Sequence, residues 1–467
     1  MAVTLAEASQ RLPFPFVATD ARATGSRSGT PPHLMDTFVI DGGVALSGTV
    51  VPAGNKNAAL PILAASVLTT EEVIVRNVPR IRDVEAMIEV LTGLGVTVNW
   101  LSEHAVALCA KDVSAEAKVD REAAERIRAS FLLAGPLLAR FGRAVMPPPG
   151  GDVIGRRRLD PHLDAFQALG AEHVPDRDIV LEAKGGLRAA EVFMDEPSVM
   201  ATENALMAAA LTPGESVIGN AACEPHIQDL ARMLQSMGAR IEGIGSNVLH
   251  VHGQHELGGC DHRVQPDHIE IGSFMGIAGV TGGEIRIKDT VPGDLRMVRL
   301  AFGRLGLHSE LDGADVIVPG GQDLKVQADV GDHTCRVQDG PWPAFPADLT
   351  SIAVALATQC DGQVLIHEWM FESRMFFVDK LVAMGANILM MDPHRAIVHG
   401  PRRLSGARVE SPDIRAGMAV LMAALCADGR SEIGNIRQID RGYERIDERL
   451  RALGAKIQRV VTEPVSA

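Results

Sequence analysis

The chain has 467 residues, of which 46% are hydrophobic and 22% charged, a composition typical of a globular protein with two or three domains. A formal net charge of −14 and an aromatic content of 4% argue against broad binding to nucleic acid. The six cysteines include no Cys-x-x-Cys pair and no apolar run reaches the length of a membrane span, so we predict a cytoplasmic protein with reduced thiols and no membrane partner.

Residues 1–34 lack the apolar core of a signal peptide and contain Gly-Thr-Pro-Pro near their end. We therefore predict a disordered N-terminal extension, with Met35 as an alternative start. The sequence contains no P-loop or dinucleotide fingerprint, and the closely spaced His250, His252 and His255 lack a fourth metal ligand at a suitable spacing. We expect neither a cofactor nor a bound metal.

A short glycine-centred phrase ends a helical pattern six times, about every 70 residues. Its glycines are Gly95, Gly170, Gly238, Gly306, Gly385 and Gly454. Glycine directly after a helix commonly adopts the left-handed cap conformation, so each phrase marks a helix end. Each unit also has an earlier helix that is apolar nearly all round and is therefore predicted to be buried: residues 57–65, 128–140, 198–211, 268–280, 348–357 and 415–426.

Six α/β units are too many for a single core, so we divide them into two lobes of three. The predicted α/β (α+β) fold is a two-lobed inside-out barrel, with buried helices around a pseudo-threefold axis in each lobe and sheets outside. Lobe I would comprise residues 35–55 and 266–467, and lobe II residues 56–265. A cleft between two such lobes is the expected place for a small ligand.

The stretch of residues 148–158 combines two prolines, three glycines and three consecutive arginines. The prolines stiffen its entry, and the glycines give its backbone unusual freedom. Such a loop can close over a site and bring guanidinium groups to phosphate or carboxylate. The alternative is a surface turn with solvated arginines.

Cations recur near the starts of helices in several units, where the helix macrodipole disfavours them. They include Lys56, Arg128, Arg374, Arg415 and Arg441. Their shared register indicates a pocket for an anion with several charges, although each arginine could instead pair with a nearby acid. Asp348 is the acidic exception. In a cationic pocket its pKa should be lowered, leaving it ionised and able to accept a proton, and a plain N-cap is the alternative role.

With these residues identified, the chain resembles the enolpyruvyl transferases over residues 35–460. The motifs that carry the resemblance are Gly-Asn-Lys-Asn-Ala-Ala-Leu-Pro (54–61), Arg-Ala-Ser (128–130), Pro-Gly-Gly-Asp-Val-Ile-Gly (149–155), Phe-Pro-Ala-Asp (345–348) and Ile-Asp-Arg-Gly-Tyr-Glu-Arg (439–445). That family folds as two lobes of three βαβαββ units, in agreement with the repeat count. The resemblance is closest to the branch whose acceptor is UDP-N-acetylglucosamine.

The resemblance implies transfer of the enolpyruvyl group of phosphoenolpyruvate to the 3-hydroxyl of UDP-N-acetylglucosamine, the first committed step of peptidoglycan precursor synthesis. Asp348 would take the hydroxyl proton and Asp152 would protonate the methylene carbon, with Lys56 and Arg441 as further catalytic residues. Implied to bind phosphoenolpyruvate are Lys56, Asn57, Arg157, Arg374, Arg415 and Arg441. Implied to bind the nucleotide sugar are Arg128, Arg157, Arg158, Leu159, Asp160, Pro161, Glu196, Pro197, Ser198, Val199, Asp348 and Met370. These two small molecules are the expected partners, and nothing in the sequence indicates an oligomeric state.

Four positions depart from the family pattern. Asp152 stands where many members carry the cysteine that fosfomycin alkylates, so resistance to that compound is expected. Leu132 stands where a tryptophan is familiar, Glu196 where a cation is frequent and Gln438 where a histidine often lies. Because Glu196 belongs to the nucleotide-sugar region, an enolpyruvyl transferase with another nucleotide acceptor, as in nucleoside-antibiotic synthesis, is an alternative. A non-catalytic ligand sensor on the same scaffold is a second alternative, and it need not keep a proton acceptor such as Asp348.

Overall fold

A computed structural model describes residues 35–152 and 154–462, so the predicted extension of residues 1–34 lies outside the described residues. The helices of the described chain are α1 (Lys56–Ala65), α2 (Arg82–Gly93), α3 (Arg121–Arg126), α4 (Ala134–Phe141), α5 (Asp160–Ala168), α6 (Val199–Ala210), α7 (Pro225–Ser236), α8 (His268–Thr281), α9 (Arg296–Arg304), α10 (Thr350–Ala357), α11 (Val378–Ala383), α12 (Ile414–Cys426) and α13 (Ile446–Ala452). Within these described ranges, every helix falls short of the length and apolar character that a membrane span requires. All six cysteines are unpaired, as predicted.

The strands of the described chain are β1 (Met35–Asp41), β2 (Gly48–Val50), β3 (Glu72–Arg76), β4 (Thr97–Ser102), β5 (Ala105–Cys109), β6 (Arg143–Met146), β7 (Glu172–Pro175), β8 (Ile179–Glu182), β9 (Glu191–Phe193), β10 (Gly214–Gly219), β11 (Arg240–Glu242), β12 (Val248–Gly253), β13 (Cys260–Arg263), β14 (Ile285–Ile287), β15 (Glu310–Asp312), β16 (Asp315–Val318), β17 (Cys335–Gln338), β18 (Gly362–His367), β19 (Asn387–Asp392), β20 (Arg395–Gly400), β21 (Arg408–Glu410), β22 (Arg430–Gly434) and β23 (Lys456–Thr462). They form six sheets, with the strand orders β21-β22-β1-β23, β11-β12-β10-β9, β13-β3-β5-β4, β15-β16-β14-β2, β17-β18-β20-β19 and β6-β8-β7.

Five of these sheets share one pattern, in which a parallel strand pair is followed by two antiparallel pairs. The sheet β6-β8-β7 contains only antiparallel pairs. The six repeat glycines have φ between 87° and 112°, the left-handed conformation predicted for helix caps. The predicted first helices are also confirmed, except that residues 128–133 form a 3-10 turn before α4 and residues 347–349 form one before α10.

The buried apolar residues form two clusters, one for each lobe. One cluster lies within residues 58–264. The other combines residues 38–50 with residues 269–457. In the second cluster the apolar helices α8, α10 and α12 contact one another, with the sheets packed outside them. The architecture is therefore a two-lobed α/β fold with helices at the centre of each lobe.

The chain passes between the lobes twice, and the two passages lie side by side. Gly54 and Pro266 form an isolated antiparallel bridge. The backbone N–H of Asn55 donates to Gln265 O at 2.8 Å, and that of Asp267 donates to Ala53 O at 2.9 Å. Asn55 and Asp267 then cap α1 and α8 through their side chains. The inter-lobe connection thus leads directly into two buried helices, the first of which begins with Lys56.

Candidate active site

A cavity of about 250 Å³ lies between the two lobes. The predicted site residues that line it are Lys56, Asn57, Arg128, Asp152, Arg157, Val199, Asp348, Met370, Arg374, Arg415 and Arg441. They come from both lobes and from five of the six repeat units. The repeats therefore bring together cations that lie far apart in the sequence.

Asp348 lies at the centre of a cationic cluster. Its Oδ1 is 3.2 Å from Arg374 Nη2, and its Oδ2 is 3.0 Å from Arg415 Nη2. Asn57 Nδ2 also donates to Oδ2, at 3.4 Å. Burial alone would raise the pKa of Asp348, but the charges of Arg415, Arg374 and Lys56 outweigh it and lower that pKa well below its ordinary range. The predicted direction of the shift is confirmed.

Asp348 does not act as a helix N-cap. It lies in the middle of a 3-10 turn, Ala347–Leu349. The N-cap position of α10 is Leu349, and no side chain caps that helix. Arg415, in contrast, is held at the start of α12 by Asp413, whose Oδ1 accepts from Arg415 N at 2.8 Å. The carboxyl group of Asp348 is therefore committed to the cavity rather than to its own helix.

A second cluster joins the lobes through Asp83, the buried acid in the first turn of α2. Its carboxylate is 2.8 Å from Lys56 Nζ and 2.8 Å from Arg441 Nε. Arg441 also donates through Nη1 to Asp152 and, at 3.0 Å, to Gln438 Oε1. Burial opposes ionisation of Asp83, but Lys56 and Arg441 hold its pKa below the ordinary value. Asp83 thus fixes two cations at one end of the cavity.

Among the predicted phosphoenolpyruvate-binding cations of the cavity, Arg157 is the one whose charge is least neutralised by neighbouring acids. Among the described residues, no hydrogen bond or ion pair reaches its guanidinium group. Burial and the like charges of Arg128 and Arg374 lower its pKa to about 10. Arg128 Nη2 donates to Arg157 O at 2.7 Å and so anchors the end of the loop. A guanidinium held in this way is available to an incoming anion.

The loop of residues 148–158 is docked on the opposite lobe. Ser373 N donates to Ile154 O at 3.1 Å, and Arg156 N donates to Glu372 Oε2 at 3.1 Å. Gly155 has a φ of 128°, and a side chain there would collide with the Glu372 carboxylate. The loop thus spans the cleft, which is the position that a closed lid requires.

Two groups behind the cavity position its arginines. Arg374 Nε lies 3.7 Å from Glu368 Oε2, and burial together with Asp339 raises the pKa of Glu368 to about 8 even though Arg374 lowers it. The Arg415 guanidinium lies 5.5 Å from the centre of the Tyr443 ring. These contacts restrict where both guanidinium groups can point.

Several residues implied to bind the nucleotide sugar do not line the cavity: Arg158, Leu159, Asp160, Pro161, Glu196, Pro197 and Ser198. Arg158 instead forms ion pairs with Asp195 at 2.7 Å, Glu196 at 3.5 Å and Asp160 at 3.5 Å. Glu196 therefore has a cationic partner beside the cavity. Ser198 caps α6 by accepting from Ala201 N.

The cavity also contains residues that the sequence did not single out as site residues. Among them are Asp83, Glu203, Glu224, His226, His268, Trp342 and Asp413. Acids and histidines in helices usually lie at the surface, so their types gave no signal. The polar run Thr202, Glu203 and Asn204 in the middle of the otherwise apolar helix α6 was the one feature that could have drawn attention.

Comparison with known proteins gives a consistent picture. The family model of EPSP synthase (3-phosphoshikimate 1-carboxyvinyltransferase) matches residues 40–450. The chain is 55% identical to the UDP-N-acetylglucosamine 1-carboxyvinyltransferase of Bradyrhizobium diazoefficiens, over 91% of this chain and 98% of the relative. It is 50% identical to the enzyme of the same name from Treponema denticola, over 91% and 99%.

Solved structures share the fold at low identity. The enolpyruvyl transferase NikO from Streptomyces tendae superposes with a TM-score of 0.81 at 22% identity, covering 92% of this chain and all of that one. EPSP synthase from Acinetobacter baumannii gives 0.69 at 17% identity, over 91% of this chain and all of that one. Both comparisons agree with the two-lobed architecture.

Proposed function

This chain belongs to the EPSP synthase family of enolpyruvyl transferases, and we propose from that premise that it transfers the enolpyruvyl group of phosphoenolpyruvate to the 3-hydroxyl of UDP-N-acetylglucosamine. The second product is inorganic phosphate. The observation that carries the proposal is the convergence of five cations, Lys56, Arg157, Arg374, Arg415 and Arg441, in one cleft between lobes that also contains the ionised Asp348. Such a set suits a small substrate that carries both a phosphate and a carboxylate.

We assign the phosphate of phosphoenolpyruvate to Lys56, Arg157 and Arg441, and its carboxylate to Arg374 and Arg415. Asp83 supports this assignment because it holds Lys56 and Arg441 side by side, 2.8 Å from each. Cations that are already in place stabilise developing negative charge without reorganising during the reaction. Asn57, which donates to Asp348, would contact both the substrate and the proton acceptor.

Asp348 would accept the proton of the 3-hydroxyl as the oxygen attacks C2 of phosphoenolpyruvate. Asp152, which lies on the loop, would donate a proton to C3, giving a tetrahedral ketal that still carries the phosphate. Loss of a C3 proton and of phosphate then leaves the enolpyruvyl ether. The low pKa of Asp348 in the free protein depends on Arg374 and Arg415. A bound carboxylate would offset those charges, so the pKa of Asp348 would rise toward the range of a useful base.

For the acceptor we propose the residues that the family pattern implies and that line the cavity, Arg128, Arg157, Val199, Asp348 and Met370. The neighbouring set Arg158, Leu159, Asp160, Pro161, Glu196, Pro197 and Ser198 would approach the nucleotide when the ligand widens this end of the cleft. We also propose lobe limits of residues 35–55 with 266–467, and of residues 56–265, and a cytoplasmic location.

The test is a phosphate-release assay with both substrates, with mass spectrometry of the product. Lys56→Ala should abolish most of the activity, and Lys184→Ala, which changes an exposed lysine of the same lobe, serves as the control. Phosphate release with phosphoenolpyruvate and a different nucleotide sugar only would favour the alternative acceptor. Tight binding of both ligands without turnover would favour the ligand sensor and refute the proposed transfer.

A further inference from the structure

Three polar side chains along the wall of the cavity carry buried atoms without partners. Among the described residues, no hydrogen bond reaches Glu203 Oε1, Glu224 Oε2 or His226 Nδ1. Glu203 is 2% exposed and His226 is 6% exposed. All three residues line the same cavity as Asp348. Buried polar atoms are nearly always paired in folded proteins, so three unpaired atoms in residues that line one cavity require an explanation.

These side chains lie on lobe II, across the cleft from the proton acceptor. Glu203 is in α6, Glu224 immediately precedes α7, and His226 is in α7. The His226 ring stacks on that of His268 with centroids 6.3 Å apart, and Trp342 N donates to Glu224 Oε1 at 3.4 Å. The charge of Asp348 acts on both imidazoles. These three side chains therefore form the part of the cavity wall that extends from Asp348 into lobe II.

Burial disfavours the charged form of all three side chains, unlike those of the anion site beside them. Burial, reinforced by the neighbouring Glu224, raises the pKa of Glu203 well above its ordinary value. Burial also raises the pKa of Glu224 and lowers that of His226 to about 3. Neither glutamate forms an ion pair among the described residues. Neutral carboxyl groups offer both O–H donors and carbonyl acceptors, which is the pairing that alcohol groups require.

We propose that Glu203, Glu224 and His226 form a polar pocket that binds hydroxyl groups of the acceptor's N-acetylglucosamine ring. The inference rests on the proposed function, because it takes the sugar whose 3-hydroxyl meets Asp348 as the occupant. A sugar presents several alcohol groups around one ring, and those not reacting need partners when water is excluded. The pocket supplies partners for them, and the sugar satisfies atoms that the free protein leaves unpaired.

The test compares apolar and polar replacements of the two glutamates. Methionine has a similar length and forms no comparable hydrogen bond, whereas glutamine keeps one donor and one acceptor. Calorimetric titration with UDP-N-acetylglucosamine should show binding weakened about tenfold in Glu203→Met and Glu224→Met, and within about threefold of wild type in the two glutamine variants. Titration with UDP, which lacks the N-acetylglucosamine group, should give the same affinity in all of these variants.

Thermal unfolding supplies a readout that separates binding from folding. Glu203→Met removes a buried carboxyl group with an unpaired oxygen, so this ligand-free variant should be at least as stable as wild type, and its stability and sugar binding should change in opposite directions. Glu224→Met also loses the hydrogen bond from Trp342 N, so no gain in stability is expected there. Glu215→Gln, which changes an exposed glutamate of β10, is the matched control and should change neither quantity.

Three results would overturn the pocket: methionine variants that bind UDP-N-acetylglucosamine normally, equal losses of UDP and nucleotide-sugar affinity, or a wild-type protein that binds UDP as tightly as UDP-N-acetylglucosamine. A wild-type protein that shows the expected binding pattern but releases no phosphate would refute the proposed transfer and support the pocket. The two ideas can therefore fail separately.

Discussion

Replacing Asp348 by asparagine tests the centre of the proposed site, because it removes one charge and keeps the shape of the side chain. In the wild-type protein the carboxylate contacts Arg374 at 3.2 Å, Arg415 at 3.0 Å and Asn57 at 3.4 Å. The introduced asparagine could still accept one hydrogen bond through its carbonyl oxygen. Its amide group would face a guanidinium that it cannot pair with.

The expected loss differs between turnover and stability. Removal of a general base typically slows the chemical step by about 10² to 10⁴. Loss of one hydrogen bond to a charged group costs about 1.5–3 kcal/mol, and a fully buried pair can cost about 3–5 kcal/mol. Because 25% of the Asp348 side chain is exposed to the cavity, we expect destabilisation nearer the lower range. Turnover should therefore fall at least about a hundredfold while the protein still folds.

The assay combines steady-state kinetics with urea unfolding, and Asp312→Asn, at an exposed ion pair with Arg286, is the control. The folded-state pKa of Asp348 lies below its ordinary value of 3.8, so its stabilisation is present above about that pH and is lost as the pH falls further. The Asp348→Asn protein should therefore lose less stability in acid than wild type. Turnover within about threefold of wild type would refute the role of Asp348 as base, and failure to fold would show that its role is structural.

Lys56→Ala should weaken phosphoenolpyruvate use by at least about tenfold, since a charge-assisted contact is lost, and kinetics near those of Lys184→Ala would contradict the phosphate assignment. Adding UDP-N-acetylglucosamine should slow hydrogen exchange of the loop of residues 148–158, and Glu372→Ala, which removes the acceptor for Arg156 N, should reduce that protection. Protection confined to other segments would rule out the lid. Fosfomycin should not inactivate the wild-type protein covalently, because a carboxylate is a poorer nucleophile toward an epoxide than a thiolate. Asp152→Cys should become sensitive over time, and rapid inactivation of the wild type would show that Asp152 is not the loop residue in question.

The repeat could be predicted from the sequence because each of its signals is local. A glycine with positive φ follows an amphipathic helix in each of the six units, and before Gly238 the residues Leu230, Met233 and Leu234 form the buried face of that helix. The pairing between distant segments could not be predicted in this way. Strand β13 adds to β3 rather than to its sequence neighbours, and β1 lies between β22 and β23. Such pairings depend on the whole fold.

The site residues also fall into those that could be predicted from local sequence and those that could not. Cations at helix starts could be recognised as a set because the repeat gives them a shared register. Asp83 could not, because an acid in the first turn of a helix is favourable there without any ligand. Glu224 could not either, because its environment depends on how the start of α7 meets Trp342 of the opposite lobe. Their roles depend on tertiary neighbours.

The position of β1 between β22 and β23 has a consequence for the biosynthesis of the protein. Asp41 and its partner Arg430 are 389 residues apart in the chain, so at about 5–20 residues per second a ribosome makes β1 roughly 20 to 80 s before its neighbours exist. Throughout that interval the apolar Phe38 and Ile40 lack the strands with which they pair. The cluster within residues 58–264 can form before the interval ends. The nascent chain therefore carries a folded half beside an unprotected strand, and it is this strand, rather than the catalytic cleft, that should engage holding chaperones.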